Sequence, residues 1–469
     1  MQSILKRWHW ISAIVLAGVW ICVWSAAAEA TTPLVLVPAR SGLPLARPAG
    51  PAHASGGTPF PCQKPEAEYA CYGPVQIRHA YHFPPYISNP ATNGSGHTIV
   101  IIDAHQDPTI ESDLAKFDAV FGLPAPSFEI VAPFGSLPFE QENEADVGWS
   151  LEIALDVEWA HATAPGAKIV LALSPTEDQH DTLEIERYVV AHELGDVISM
   201  SYVEGEECET PAFLAEEHQV FVTAVEHGMT PVAGAGDVGA SAFNCELNEP
   251  VGHREVSVPA SDPNVTSVGG TELSANRTSG HYLGETVWNE PLEKGAGGGG
   301  FSSVYATPKY QRSVPGIASQ RGVPDVTYDA GNHGGMAVVW GSSGEPQEEW
   351  DVSGTSAGTP QWAGLVADAD AVAHRRLGNV NPALYSIGQG PRAAEAFHDI
   401  TSGNNSFEEV TGYEAGPGWD AASGWGSPYA TVLMRLLAAS KAEHGDQGAG
   451  LLPAATHVKP VGAGHVHPL

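Results

Sequence analysis

Short apolar runs alternate with longer helix-length runs from residue 97 to residue 375, and this alternation constrains the fold more than any other feature. His97–Asp103 (HTIVIID), Lys168–Leu173 (KIVLAL), Asp196–Ser201 (DVISMS) and Thr230–Ala235 (TPVAGA) read as strands. Glu111–Phe121, Trp149–Thr163, Ala212–Gly228 and Gln361–Arg375 read as helices. Strands separated by helical crossovers pair in parallel, and a parallel sheet is covered by helices. The expected class is therefore α/β, with a mostly parallel central sheet flanked by helices. Sites in such sheets gather beyond the carboxyl ends of the strands. Asp103 and Asp237 fall there. Asp103 is read as structural.

The most informative motif is Gly354-Thr355-Ser356-Ala357-Gly358-Thr359-Pro360, which runs into the last of those helices. Small residues opening into a helix place Ser356 in its first turn. There the unpaired N–H groups and the positive end of the dipole can hold an oxyanion. Pro360 is expected within that first turn, where no internal donor is needed. A serine here could equally be an N-cap. A hydroxyl is a weak nucleophile and needs a base.

The helix carrying Glu152 and Asp156 supplies one. These residues are four apart, on one face, flanked by Ile153 and Val157. No Lys or Arg occurs between Gln141 and Ala167. A buried pair of this kind shares a proton and titrates in two steps, which suits acid–base work at acid pH. A solvated acidic face is the simpler alternative. Gly236-Asp237 offers a carboxyl at a strand end that donates a hydrogen bond only when protonated. Alone it would be an ordinary Asp-x-Gly turn.

Together these elements resemble the sedolisins, the serine-carboxyl peptidases with a subtilisin-like fold. Glu152-x-x-x-Asp156 is similar to the family's Glu/Asp pair, Gly236-Asp237 to its oxyanion aspartate, and Ser-Gly-Thr-Ser356 with Pro360 to its nucleophile motif. Ile77-Arg-His-Ala-Tyr81, Val197-Ile-Ser-Met-Ser-Tyr202 and Arg321-Gly-Val-Pro-Asp325 match supporting segments. The resemblance spans about residues 70–438. It implies that Ser356 is the nucleophile, Glu152 the base, Asp156 its proton-sharing partner and Asp237 the oxyanion donor. It also implies a Ca²⁺ site, with carboxylates from Asp399 and Asp420 and backbone carbonyls from Ile400, Gly416 and Gly418. Such an all-oxygen set suits Ca²⁺. Tyr202 stands where many relatives have Trp.

Composition bounds the setting. Fifty-five acidic residues against 21 Lys+Arg give a net charge of −34, which argues against nucleic acid and anionic membranes as partners. Lys6 and Arg7 before an uncharged stretch, then Ala28-Glu29-Ala30, read as a signal peptide over residues 1–30. The chain is expected to be exported, to the periplasm or out of the cell, and to act as a monomer on protein or peptide substrates. Residues 31–69 read as a Pro/Ala/Gly-rich linker, too short for the family's full pro-domain. Residues 70–438 read as the peptidase domain and 439–469 as a disordered tail, with His457, His465 and His467 solvated. Past the signal peptide, Cys62, Cys71, Cys208 and Cys245 allow three pairings, of which proximity favours Cys62–Cys71 and Cys208–Cys245. Two other readings remain: a non-catalytic secreted binding protein on a peptidase scaffold, and a neutral subtilisin-like protease with a His base. The chain lacks a His-Gly-Thr-His-type motif for the latter.

Overall fold

Each of the four apolar runs forms a strand, and together with others they build one eight-stranded sheet. The computed structural model describes residues 45–51, 60–64, 70–85, 90–135, 138–245, 249–290, 292, 295–342, 347–440, 452 and 467–468. The strands are β1 (Thr98–Ala104), β2 (Ser127–Val131), β3 (Lys168–Ser174), β4 (Val197–Met200), β5 (Thr230–Gly234), β6 (Thr266–Ala275), β7 (Tyr282–Val287) and β8 (Val326–Asp329). Their order is β7-β6-β5-β4-β1-β3-β2, with β8 also paired to β6. Every pairing in this sheet is parallel except β6 with β7.

The five major helices are α1 (Ile110–Phe121), α2 (Glu144–Thr163), α3 (Gln179–Ala191), α4 (Pro211–Glu226) and α5 (Thr355–Ala373). Alternate residues of each central strand enter opposite cores, as the two-residue period of a strand requires. Ile99, Ile101, Ile169 and Leu171 join one core with Leu114 and Phe117 of α1, Leu155 of α2 and Trp362 and Leu365 of α5. Val100, Ile102, Val170 and Ala172 join the other with Val189 of α3 and Phe221 of α4. The result is three layers, helix–sheet–helix. Strands covered on both faces are the physical reason that the runs are continuously apolar.

Local chemistry sets the helix starts. Asn143 Oδ1 accepts the Ala145 N–H at 3.0 Å and caps α2, with Glu144 and Asp146 in the first turn beside the positive dipole end. The helix therefore begins five residues before the expected Trp149. Thr210 caps α4 through the Phe213 N–H at 3.1 Å, ahead of Pro211. Helix α5 begins at Thr355, six residues before the expected Gln361. Pro360 is thus one turn inside the helix rather than in its first turn, and its missing N–H falls opposite the Ser356 carbonyl. A Cβ on Gly364 of α5 would lie 2.7 Å from the Thr163 side chain, so glycine lets α5 pack closely on the end of α2.

Disulfides join Cys62 to Cys71 and Cys208 to Cys245, the pairing that proximity favours. Arg321 is fully buried and holds Asp325 in a two-pronged ion pair at 2.8 and 2.6 Å. Within the stretch expected as a linker, Leu45–Pro51 pairs antiparallel with Glu348–Ser353, the strand that leads into α5. Near the end of the chain, His467–Pro468 pairs antiparallel with Tyr202–Val203. The expected signal peptide lies outside the described residues, as does nearly all of the expected tail. No helix among the described residues is long and apolar enough to cross a membrane.

Candidate active site

The carboxyl edge of the sheet gathers four acidic side chains around one hydroxyl. Asp103 sits near the end of β1. Asp237 follows β5 after Gly236, whose φ of 112° favours glycine. Gly354, at φ 119°, turns the chain from a strand into α5 and sets Ser356 as its second residue. Glu152 and Asp156 come from α2, a helix buried around its whole circumference from Gly148 to Thr163. Asp103, Glu152, Asp156 and Ser356 have no solvent exposure, and Asp237 keeps 8%.

Burial without countercharge governs the electrostatics. Burial first, then repulsion from Asp156 and Asp103, pushes the Glu152 carboxyl well above its ordinary range. The Ser356 hydroxyl opposes that shift, which places it against Glu152. Neither Glu152 oxygen completes a hydrogen bond of normal geometry among the described residues. Catalytic contacts of this kind are often long until substrate completes the site. Asp156 is raised by burial and then by Asp103, while the Ser201 hydroxyl donates to its Oδ1 at 2.9 Å and pulls it back. Burial lifts Asp103 to about 8, and neither of its oxygens is hydrogen-bonded among the described residues. Buried carboxyls in such company cannot all be ionised, and the Glu152/Asp156 pair shares a proton.

Asp237 is tied to the helix that carries Ser356. Its Oδ1 accepts the Thr355 N–H at 2.8 Å and the Thr355 hydroxyl at 2.9 Å. Burial raises its carboxyl to about 6, against the opposing pull of Thr355. Thr355 Oγ1 in turn accepts the Gly236 N–H at 3.3 Å, closing a clamp between the loop after β5 and the start of α5.

The structure therefore brings Glu152, Asp156, Asp237 and Ser356 together, as the sequence pattern requires. It adds three residues. Asp103, read as structural, faces both members of the pair. Ser201, inside a run already singled out, orients Asp156 from the end of β4. Thr355 holds Asp237. Tyr202 is buried and donates to Glu186 Oε1 at 2.8 Å.

The two carboxylates of the expected metal set meet one short loop. The Gly416 N–H donates to Asp420 at 2.9 Å, and the Gly418 N–H donates to Asp399 at 3.0–3.1 Å, so N–H groups of one short loop hold both carboxylates. A Cβ added at Gly416 or Gly418 would meet nothing within 4 Å, leaving open space beside that loop. Ile400 is buried next to Asp399. Burial raises Asp420, and N–H groups of Gly416, Ala422 and Ser423 oppose the shift.

The chain is similar to known proteins. A model of the subtilase family matches residues 148–382, a span containing Glu152, Asp156, Asp237 and Ser356. Kumamolisin of Bacillus sp. (strain MN-32) is 33% identical over 410 residues, covering 85% of this chain and 70% of that protein. The chain belongs to the sedolisin family of serine-type peptidases. Sedolisin of Pseudomonas sp. (strain 101) is 29% identical over 349 residues, 73% of this chain and 58% of that protein. A solved structure of Pseudomonas sedolisin, a serine-carboxyl proteinase complexed with two molecules of pseudo-iodotyrostatin, superimposes with a TM-score of 0.68 at 27% identity. That match covers 79% of this chain and 98% of the other. The subtilisin-like fold expected from the family resemblance is thus the fold observed.

Proposed function

We propose that the chain is an exported, acid-active serine-carboxyl peptidase that hydrolyses protein or peptide substrates as a monomer. The observation that carries this reading is the Ser356 hydroxyl bearing on Glu152 within a cluster of buried carboxyls. Ser356 Oγ attacks the scissile carbonyl carbon, and its proton passes to Glu152. Asp156, oriented by Ser201, shares the proton on the pair. The carbonyl oxygen becomes an oxyanion, held by the Ser356 backbone N–H and by protonated Asp237. The pair then returns the proton to the leaving amine. Water repeats the sequence on the acyl-enzyme and releases the acid.

Acid dependence follows from signs. Asp237 donates only when protonated, and its carboxyl is raised to about 6. Activity should fall as pH rises through that value, and the pair loses its shared proton on the same side. Stability runs the same way. Asp103, Glu186 and Glu209 are raised to about 8 by burial, from ordinary values near ~4. Between those values the folded chain binds more protons than the unfolded chain. This stabilisation is complete below pH ~4 and is lost as pH approaches ~8. A pH profile of peptide hydrolysis, with thermal midpoints at each pH, tests both. Maximal turnover between pH 7 and 9 would overturn the reading in favour of a His base.

Asp399, Asp420 and the carbonyls of Ile400, Gly416 and Gly418 would suit Ca²⁺, because all five donors are oxygens, and N–H groups of one short loop hold both carboxylates with open space beside it. A bound ion would neutralise the two carboxylates and fasten that loop. Chelation should lower the thermal midpoint, since an ion bound only by the folded state stabilises it by mass action. Asp420→Ala should reproduce the chelated midpoint and no longer respond to added Ca²⁺. A metal-free preparation that melts identically with and without Ca²⁺ removes the assignment.

A further inference from the structure

A second group of potential metal ligands shares no residue with the expected Ca²⁺ set. Strand Tyr202–Gly205 runs into the short turn Glu206–Cys208, whose Glu207 side chain is 56% exposed. The segment Val251–Glu255 returns against this turn and brings His253, half exposed, and Glu255, whose side chain is 3% exposed. His253 Nε2 lies 3.3 Å from Glu207 Oε1 and 3.8 Å from Glu255 Oε2. One potential ligand atom from each of the three residues lies within 4.8 Å of the other two.

Two details set this group apart from an ordinary acidic surface. First, Glu255 is buried, its Oε1 accepts the Glu207 N–H at 2.7 Å, and its Oε2 has no hydrogen-bond donor among the described residues. An inaccessible carboxylate oxygen aimed into a cluster without a donor is costly unless something cationic meets it. Second, His253 Nδ1 lies 3.2 Å from the Val251 carbonyl oxygen. When Nδ1–H donates there, the neutral ring presents its Nε2 lone pair to two carboxylate oxygens. Metal-bound histidines are held in this way, with the remote N–H on a backbone carbonyl. Ligand atoms about 2.0–2.1 Å from a tetrahedral Zn²⁺ stand roughly 3.3 Å apart, which matches the His253–Glu207 separation, and a small shift of the exposed His253 ring would bring Glu255 to the same distance.

The scaffold is fixed before any ion arrives. The Glu206 N–H donates to the Val256 carbonyl at 3.2 Å, the Val251 N–H to Ala242 at 3.0 Å and the Glu255 N–H to Ala240 at 3.0 Å. The Cys208–Cys245 disulfide anchors the residue next to Glu207.

We propose that Glu207, His253 and Glu255 form a binding site for one borderline divalent cation of the Zn²⁺ class, with its remaining position open to solvent. One imidazole and two carboxylates suit Zn²⁺ better than Ca²⁺, which takes oxygen ligands. The ion would cross-link the turn that follows the Tyr202–Gly205 strand to the Val251–Glu255 segment.

The test uses the full chain, stripped with chelator and kept in excess Ca²⁺. Zn²⁺ is titrated by calorimetry, and Co²⁺ is followed by its visible absorption as a geometric reporter. About one equivalent of Zn²⁺ should bind, and Co²⁺ should give the intense visible bands of a low-coordinate N/O site. His253→Gln and Glu255→Gln should each weaken Zn²⁺ by at least about tenfold and abolish the cobalt bands. His253 is half exposed, so its variant tests binding without risk to folding, and both variants should keep the wild-type thermal midpoint without Zn²⁺. A triple variant of His457, His465 and His467 should bind as wild type does. Equal Zn²⁺ affinity in wild type and His253→Gln overturns the proposal. So does transfer of the loss to the tail variant, or absence of Zn²⁺ binding to wild type.

Discussion

Ser356→Ala is expected to lose roughly four or more orders of magnitude in kcat while melting close to wild type. The hydroxyl is the only atom that can form the acyl-enzyme, and removing one member of a unit that acts together costs nearly as much as removing all of it. Fold stability should be almost unaffected, because alanine keeps the Cβ, suits a helix interior and relieves the buried pair of one polar neighbour. The measurement is steady-state hydrolysis of a peptide at acid pH, beside a thermal melt. A peptide aldehyde, to which a serine hydroxyl adds as a hemiacetal, should form that adduct with wild type and not with the variant. Activity within tenfold of wild type would exclude Ser356 as the nucleophile.

Asp237→Ala should lose about 2.7–4 kcal/mol of transition-state stabilisation, or roughly 10²–10³ in kcat, the usual cost of removing one oxyanion donor. Asp237→Asn is the sharper probe. An amide donates at every pH, whereas the carboxyl, raised to about 6, donates only when protonated. The asparagine variant should retain part of the activity and carry its alkaline limb to higher pH. The Thr355 N–H and hydroxyl, which now both donate to Asp237 Oδ1, would be met by the amide oxygen, so the clamp to α5 survives. Unchanged kcat and pH profile in the alanine variant would return Asp237 to the status of a turn residue.

Periodicity and short motifs made the sheet and the four principal site residues legible. Glu152 and Asp156 share a helical face by spacing alone, and Ser356 and Asp237 are marked by the glycines that turn the chain beside them. Asp103 was not legible as part of the cluster. Its distance from a helix face is a matter of how α2 lies across the sheet, and no local pattern encodes that. Ser201 and Thr355 were hidden for a similar reason, because a small hydroxyl becomes significant only through its partner. The start of α2 was missed because its first turn is polar and its apolar pattern begins later. Pro360 was misplaced because the helix starts before the bulky residues that reveal it. β6, with Gly269 and Gly270 in its middle, lacks the apolar density that announces a strand. Glu207 and His253 are too far apart for a spacing rule to connect.

The described ends of the domain are stitched together: the Ala430 N–H donates to the Tyr81 carbonyl at 2.9 Å and the Thr431 N–H to that of His82 at 3.2 Å. Helix Ala430–Ala439 also packs on α5. In chain order the carboxyl pair comes first, then Asp237, and Ser356 comes last, held by a helix that itself needs the final helix behind it. Parallel pairing of distant segments is slow to form, and chains emerge amino end first. A growing chain thus carries Glu152, Asp156 and Asp237 well before Ser356 is made. On the function proposed above, a chain cut before the final helix should lack the packing behind α5 and hydrolyse no peptide.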